Sequence, residues 1–223
     1  MIRRVVAERH DRPSLVSQIA CDVGAEIIEG LRLPNDDLNS VELSRRYKTS
    51  RTPIREALML LEKEGLVDVP PRRRPRVASL QLDEIREIYR MRAALFELIA
   101  ADVARHASNE DIAGLQKLLV AMERAQRAGD LNAYVWANVD FYDRNTQLAN
   151  NRTVKRILDS LLLRTLGLRR LSLSQPGRLR QSFDDHGRLV QAYADRDPTL
   201  AAALIRSNHI NALAAIEKYF ARS

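Results

Sequence analysis

The 223-residue sequence has a single cysteine, Cys21, and is poor in aromatic residues, glycine and proline. One thiol excludes a disulfide within the chain and any zinc site built on several cysteines. The low aromatic, glycine and proline content, beside abundant Leu, Ala, Arg and Glu, favours a mainly helical fold. No apolar run approaches the roughly 18 residues of a membrane-spanning helix, and the first residues have no apolar core of signal-peptide length. We therefore expect a cytoplasmic protein that does not span a membrane.

Positive charge is what the chain has in excess. Its 36 lysines and arginines against 29 acidic residues give a net charge of +7. This balance favours an anionic partner, with nucleic acid as the first candidate and an acidic ligand as the second. The length allows one large domain or two small ones.

The first predicted helix covers residues 14–33, with Ser14 as N-cap and Pro34 as the stop. Its apolar residues recur every four positions: Leu15, Ile19, Val23, Ile27 and Leu31. A polar turn follows, and then a short helix around residues 41–47.

A third helix is predicted after the turn KTS, with Pro53 in its first turn, Ser50 or Thr52 available to cap it, and Gly65 at its end. Its expected buried face consists of Ile54, Ala57, Leu58 and Leu61. The period then changes, because residues 66–69 and 76–80 alternate like strands around the turn PPRRRP.

These elements predict a mainly α protein in two domains. Residues 1–78 are expected to form a winged helix-turn-helix of three helices and a small β-hairpin. Residues 79–223 are expected to form an all-α bundle of about six helices. The helix breaks are predicted near residues 106–110, 128–130, 149–153, 174–178 and 195–199.

The start of the third helix has the residue types that read DNA. Arg51 and Arg55 lie four apart on one helix face, where a guanidinium can pair with guanine in the major groove. Ser50 and Thr52 suit phosphate oxygens. Further positive side chains surround this helix start: Arg45, Arg46, Lys48, Arg72, Arg73, Arg74 and Arg76. Separately, such features are typical of any amphipathic helix or solvated loop; in this order they indicate DNA binding.

The sequence SRTPIREALMLLEKEGLV resembles the DNA-binding signature of the GntR superfamily of bacterial transcription regulators. The resemblance covers residues 15–80 and implies a winged helix-turn-helix that binds double-stranded operator DNA. Three positions depart from the usual pattern: Asn35 and Lys48 stand where glycine is usual, and Pro75 stands near the usual wing-tip glycine.

The second half resembles the FadR branch of that superfamily, with an FCD-type domain. The motifs are EIYRMRAALFELIAADVARHAS at its start and DDHGRLVQAYADRDPTLAAALIRSNHI near its end. Six helices would place it in the shorter, VanR-like subgroup. The resemblance implies an effector-binding and dimerisation domain.

Many members of this branch bind a divalent metal through one Asp and three His. His186 and His209 match two of these ligands, but Asn138 stands for the Asp and Tyr142 for another His. A neutral amide and a phenol are poor ligands for zinc at neutral pH. We therefore expect no cofactor, and a pocket in which Arg92, Asn138, Tyr142, His186 and His209 bind a small carboxylate, with Arg92 as the charge partner.

Three alternatives stay open for these residues. If a divalent metal binds, its ligands are expected to be His186 and His209. The two histidines are otherwise ordinary pocket or surface residues, and Arg92 is otherwise part of an ion pair within the bundle.

Together these features predict a ligand-responsive transcription regulator, not an enzyme. We expect a homodimer on a pseudo-palindromic operator, acting as the repressor of a metabolic operon. The alternatives are a non-specific architectural DNA-binding protein and an all-α metalloenzyme with a DNA-recruiting module.

Overall fold

The computed structural model describes residues 14–222, in which nine helices and one two-stranded hairpin are found. The chain forms two compact units. The first takes residues up to Leu80 together with Leu162–Gly167, and the second takes Gln81–Leu161 and Leu168 onward. The predicted domain ranges 1–78 and 79–223 stay predictions. The expectation about a signal peptide concerns residues 1–13, outside the described part.

The first described helix, α1, is Leu15–Ile28, so the predicted range 14–33 was too long. Ser14 caps it as predicted, since its side chain accepts a hydrogen bond from a backbone N–H of the first turn. The helix ends early because Gly30 takes a left-handed conformation, with φ at 76°. Leu31, predicted to extend the buried stripe, therefore lies outside the helix and is 72% exposed.

Helix α2 is Ser40–Arg46 and helix α3 is Arg51–Lys63, close to their predicted positions. Helix α3 packs against α1. All four residues of its predicted apolar face are buried: Ile54, Ala57, Leu58 and Leu61. Gly65 follows the helix in the left-handed conformation that a C-cap requires. Ser50 occupies the N-cap position, but its side chain makes no capping hydrogen bond.

The wing is an antiparallel hairpin of two short strands, β1 (Val67–Asp68) and β2 (Arg76–Val77). Both strands are shorter than the predicted 66–69 and 76–80. The loop before α2 holds the hairpin from its other edge: the backbone N–H of Leu38 donates to the carbonyl oxygen of Pro75 at 2.7 Å. Three helices and a hairpin confirm the predicted winged helix-turn-helix.

Six helices follow the hairpin within the described residues, the number predicted for the VanR-like subgroup. They are α4 (Leu82–His106), α5 (Asn109–Ala128), α6 (Leu131–Leu148), α7 (Arg152–Ser174), α8 (Arg178–Ala194) and α9 (Pro198–Phe220). All five predicted breaks coincide with the observed ones. Helix α4 packs along α9, and α5 packs on α6 and α8. The core between them is apolar, with Phe96, Leu115, Phe141, Val190 and Ile205 among its buried residues.

The breaks are sharp because capping residues stand at them. Ser108 and Asp111 form a capping box at the start of α5, and Asp130, Asn151 and Asp197 each accept a backbone N–H at the start of the next helix. These side chains satisfy donors that a helix leaves free in its first turn. Within residues 14–222, no helix is long and apolar enough to cross a membrane.

Candidate functional site

The start of helix α3 presents an exposed positive surface. Arg51, Thr52 and Arg55 are all exposed there, and so are the other eight residues predicted to contact DNA: Arg45, Arg46, Lys48, Ser50, Arg72, Arg73, Arg74 and Arg76. The hydroxyl of Ser50 does not cap the helix, so the first backbone N–H groups of α3 stay open to an anion. The geometry suits a phosphate at the helix start and base edges along its first two turns.

The basic side chains differ in how much of their charge is already paired. Arg46 forms an ion pair with Glu26 and lies over the Tyr47 ring. Arg74 and Arg76 each have a carboxylate at 3.5 Å, from Asp37 and Asp68 respectively. By contrast, the following residues form no ion pair within residues 14–222: Arg45, Lys48, Arg51, Arg55, Arg72 and Arg73. The guanidiniums expected to reach base edges are therefore among those without a carboxylate partner.

The departures at Asn35 and Lys48 keep the backbone that glycine would favour. Their φ angles are 71° and 50°, both in the left-handed region. At Asn35 this conformation lets the backbone N–H donate to the carbonyl oxygen of Val77 at 3.0 Å, which ties the loop to the wing. Lys48 likewise gives the turn between α2 and α3 the left-handed backbone that glycine would allow. A residue with a side chain adopts this conformation at some cost in energy.

At the wing tip the left-handed residue is Arg72, with φ at 60°, and not Pro75. The N–H of Arg73 bonds the carbonyl oxygen of Pro70 at 3.2 Å, so residues 70–73 form a turn. Pro71 fixes the second position and Arg72 takes the third, as in a type II turn, where glycine is usual. The wing tip therefore has an arginine at a turn position where glycine is usual.

The second unit contains a small cavity of about 30 Å³. Four of the five residues predicted to bind an effector line it: Arg92, Asn138, Tyr142 and His209. The fifth, His186, is buried behind Asn138 and does not line the cavity. The sequence thus predicts residues that meet in three dimensions, although they come from four different helices.

Asn138 connects three helices through its amide. Its Nδ2 lies 3.1 Å from Nε2 of His186, and its Oδ1 accepts a hydrogen bond from Nη1 of Arg169 at 2.6 Å. Nδ1 of His186 lies 2.6 Å from the carbonyl oxygen of Ser182, which can only accept. The proton of His186 is therefore on Nδ1, and Nε2 accepts the amide N–H.

Both histidines are held neutral. Burial, followed by the charges of Arg169 and Arg178, lowers the pKa of His186 to about 4. Burial, followed by the charge of Arg92, lowers the pKa of His209 to about 3. Nδ1 of His209 is 2.9 Å from the carbonyl oxygen of Ile205, so this ring also has its proton on Nδ1.

The residues of this site do not fit the divalent metal that the resemblance implies. Nε2 of His186 already accepts the N–H of Asn138. Tyr142 donates to Oδ1 of Asn208 at 3.0 Å, and burial raises the pKa of its phenol to about 12, so it is protonated at neutral pH. Arg169 adds a cation in contact with Asn138. Among residues 14–222, no three His, Cys, Asp or Glu side chains are grouped to hold a metal ion.

Eight further residues line the cavity that are not among the predicted site residues, and they include the polar side chains of Arg169, Ser172 and Arg178. Arg169 lies on the buried stripe of α7, three residues after Leu166 and four before Leu173. Arg178 is four residues before Ser182, which is four before His186, so the three share the buried face of α8. This helical spacing is the signal by which the sequence could have identified them.

The two units together have the architecture of a regulator that joins a DNA-binding module to a ligand-binding domain. The family described as bacterial regulatory proteins, gntR family, matches residues 15–77, and the FCD domain matches residues 87–212. The chain belongs to the gntR family and carries an FCD domain, as the FadR-branch resemblance predicts. It is therefore a transcription regulator and not an enzyme.

Relatives of known name agree with this assignment. The uncharacterized HTH-type transcriptional regulator YdhC of Bacillus subtilis is 31% identical over 60% of this chain and 60% of its own. The gluconate operon transcriptional repressor of Bacillus licheniformis is 26% identical over 80% of this chain and 72% of its own. The solved structure of Escherichia coli McbR/YncC superimposes with a TM-score of 0.77 at 23% identity, over 94% of this chain and 100% of that one, which supports the fold.

Proposed function

We propose that the protein is a cytoplasmic, homodimeric repressor of a metabolic operon that responds to a small carboxylate. Each winged module would bind one half of a pseudo-palindromic operator, with Arg51, Thr52 and Arg55 reaching base edges. The carboxylate would bind in the cavity of the second unit. The DNA-binding part of the proposal rests on the exposed start of α3, where Arg51 and Arg55 have no ion pair within residues 14–222.

Repression is supported by the relative named as a repressor of the gluconate operon. An effector would act by binding one arrangement of the dimer more tightly than another, since a ligand shifts an equilibrium only through such a difference. The buried, arginine-lined cavity argues against a purely architectural DNA-binding protein, which needs no ligand site.

Replacing Arg51 and Arg73 separates the two kinds of DNA contact. Arg51→Ala should reduce discrimination between operator and random DNA by about 1–3 kcal/mol, because it removes a base contact. Arg73→Ala should weaken binding to both DNAs alike, because a wing arginine would contact phosphate. Fluorescence anisotropy with an operator obtained by binding selection measures both effects.

Arg188→Ala is the matched control, because Arg188 is an exposed arginine on helix α8 of the second unit. Its affinity for both DNAs should stay close to that of the unmodified protein. A selection that yields no preferred sequence at physiological salt would refute the proposal. So would equal losses on operator and random DNA for the Arg51 and Arg73 variants.

A further inference from the structure

The cavity of the second unit is positively charged. Arg92, Arg169 and Arg178 line it, and none of the described residues that line it is acidic. All three arginines are buried, at 4%, 8% and 6% exposure. Buried guanidiniums are costly unless an anion or hydrogen-bond acceptors compensate them. The lining therefore has the composition of an anion site.

Two buried polar atoms at the cavity have no hydrogen-bond partner within the described residues. They are Oγ of Ser172 and Nε of Arg178. Buried polar groups are nearly always paired, so two such atoms beside one cavity indicate a ligand that completes them. Both can donate a hydrogen bond to an oxygen, as can the guanidinium of Arg169.

The charged side chains around the cavity favour a ligand with two negative charges. The carboxylate of Asp185 acts electrostatically on Arg178 but forms no ion pair with it. Asp185 is only partly buried, and its Oδ2 accepts a hydrogen bond from Asn208 at 3.2 Å. Arg169 and Arg178 both line the cavity and form no ion pair within residues 14–222, so their two guanidiniums present two positive charges to a ligand there.

Arg169 supplies a positive charge directly beside Asn138. It bonds Asn138, the residue that replaces the usual Asp, while Asn138 uses its amide N–H on His186. A carboxylate at position 138 could accept from Arg169 but could not donate to the unprotonated Nε2 of His186. The amide therefore matches a site in which a guanidinium, and not a metal ion, supplies the positive charge.

We infer that this cavity binds an oxyanion carrying two negative charges directly through Arg169 and Arg178, with Ser172 as a further donor and without a metal ion. The inference rests on the proposed effector-binding role of the second unit and specifies its ligand chemistry. A dicarboxylate and a phosphate monoester share this chemistry. The cavity of about 30 Å³ has room for only a few atoms, so it would accept the anionic group first, and a larger ligand would have to displace side chains.

Titration calorimetry on the full-length protein without DNA, after treatment with a chelator, tests the inference. The probes are oxalate, malonate and inorganic phosphate, compared with the singly charged acetate and propionate. The doubly charged probes should bind at least about tenfold more tightly, because each additional charge-assisted hydrogen bond contributes enough for a factor of this size. Arg169→Gln and Arg178→Gln should each weaken that binding by at least about tenfold.

Two neighbouring arginines provide matched controls. Arg170→Gln alters a residue that bonds Asn132 at the surface, and Arg180→Gln alters an exposed residue. Both should bind the probes within about twofold of the unmodified protein, given that exposed charges contribute little. Ser172→Ala removes one small hydroxyl that has no partner, so it should fold normally and still weaken dianion binding several-fold.

The inference fails if no doubly charged probe binds, or if singly charged probes bind equally well. It also fails if Ser172→Ala and Arg169→Gln leave the affinity unchanged, or if the chelator abolishes binding. Failure of the proposed function would look different: a dianion would bind as described, yet operator affinity would not respond to it. If DNA binding responded to some other ligand while no dianion bound, the inferred anion site would be refuted but the proposed regulatory function would stand.

Discussion

Mild acid should destabilise the helical bundle, because His186 is buried and neutral. Burial and the nearby arginines lower its pKa from 6.5 to about 4 in the folded protein. Between these two values the unfolded chain binds a proton that the folded chain does not. The stabilisation is therefore complete above the unfolded pKa of 6.5 and is lost as the pH falls toward 4. A difference of about 2.5 pKa units corresponds to about 3 kcal/mol for this one residue.

Trp136 gives a direct assay for this effect, because it is the single tryptophan of the chain and lies in helix α6. Urea unfolding followed by its fluorescence would report the free energy of unfolding of the bundle at several pH values between about 7.5 and about 5. His186→Gln should reduce the slope of that free energy against pH by up to about 1.4 kcal/mol per pH unit, the value for one proton.

His106 provides the control. It is exposed at the end of α4, so its ring meets water in both the folded and the unfolded chain. His106→Gln therefore makes the same chemical change at an exposed position. A slope that is equally steep in His186→Gln and in the unmodified protein would refute the reasoning, since it would mean that His186 does not supply the proton.

Two further substitutions test local features. Asn35→Gly should raise the free energy of unfolding by up to about 1 kcal/mol, because Asn35 has a φ of 71°, which glycine adopts without strain. Asn39→Gly is the control and should lower the free energy of unfolding, because Asn39 has a φ of −68° and its side chain caps helix α2. Calorimetric melting would measure both effects, and a loss of stability in Asn35→Gly would contradict the strain argument. Tyr193→Phe should lower the free energy of unfolding by about 1–3 kcal/mol, because the buried Oδ1 of Asn145 loses a donor at 2.6 Å. Tyr219→Phe should cost less in the same urea assay, since Tyr219 is exposed on helix α9, and equal losses would argue against the buried bond.

The helix boundaries could be predicted because the residues that end a helix act locally. Asp130, Asn151 and Asp197 cap their helices with their own side chains, so the signal lies within a few residues of sequence. The error at α1 has the same origin. Both Gly30 and Pro34 can end a helix, and the prediction used the proline. The helix ends earlier, because Gly30 takes the left-handed conformation.

The cavity could be predicted only in part, because burial of an arginine depends on the whole bundle. Arg92 was identified through its motif, but Arg169 and Arg178 resemble the many exposed arginines of this basic chain. Their places on the buried faces of α7 and α8 become clear only when those helices are packed. Likewise, nothing local in the sequence shows that Asn138 bonds Arg169, thirty-one positions later.

The bridging amide of Asn138 also has an evolutionary consequence. Asparagine and aspartate codons differ by a single base, and so do tyrosine and histidine codons. Asn138 and Tyr142, which stand where the family resemblance implies an Asp and a His ligand, are therefore each one point mutation away from those residues. Asn138→Asp alone would place a carboxylate against Arg169 and remove the donor to His186, so neither type of site would be complete.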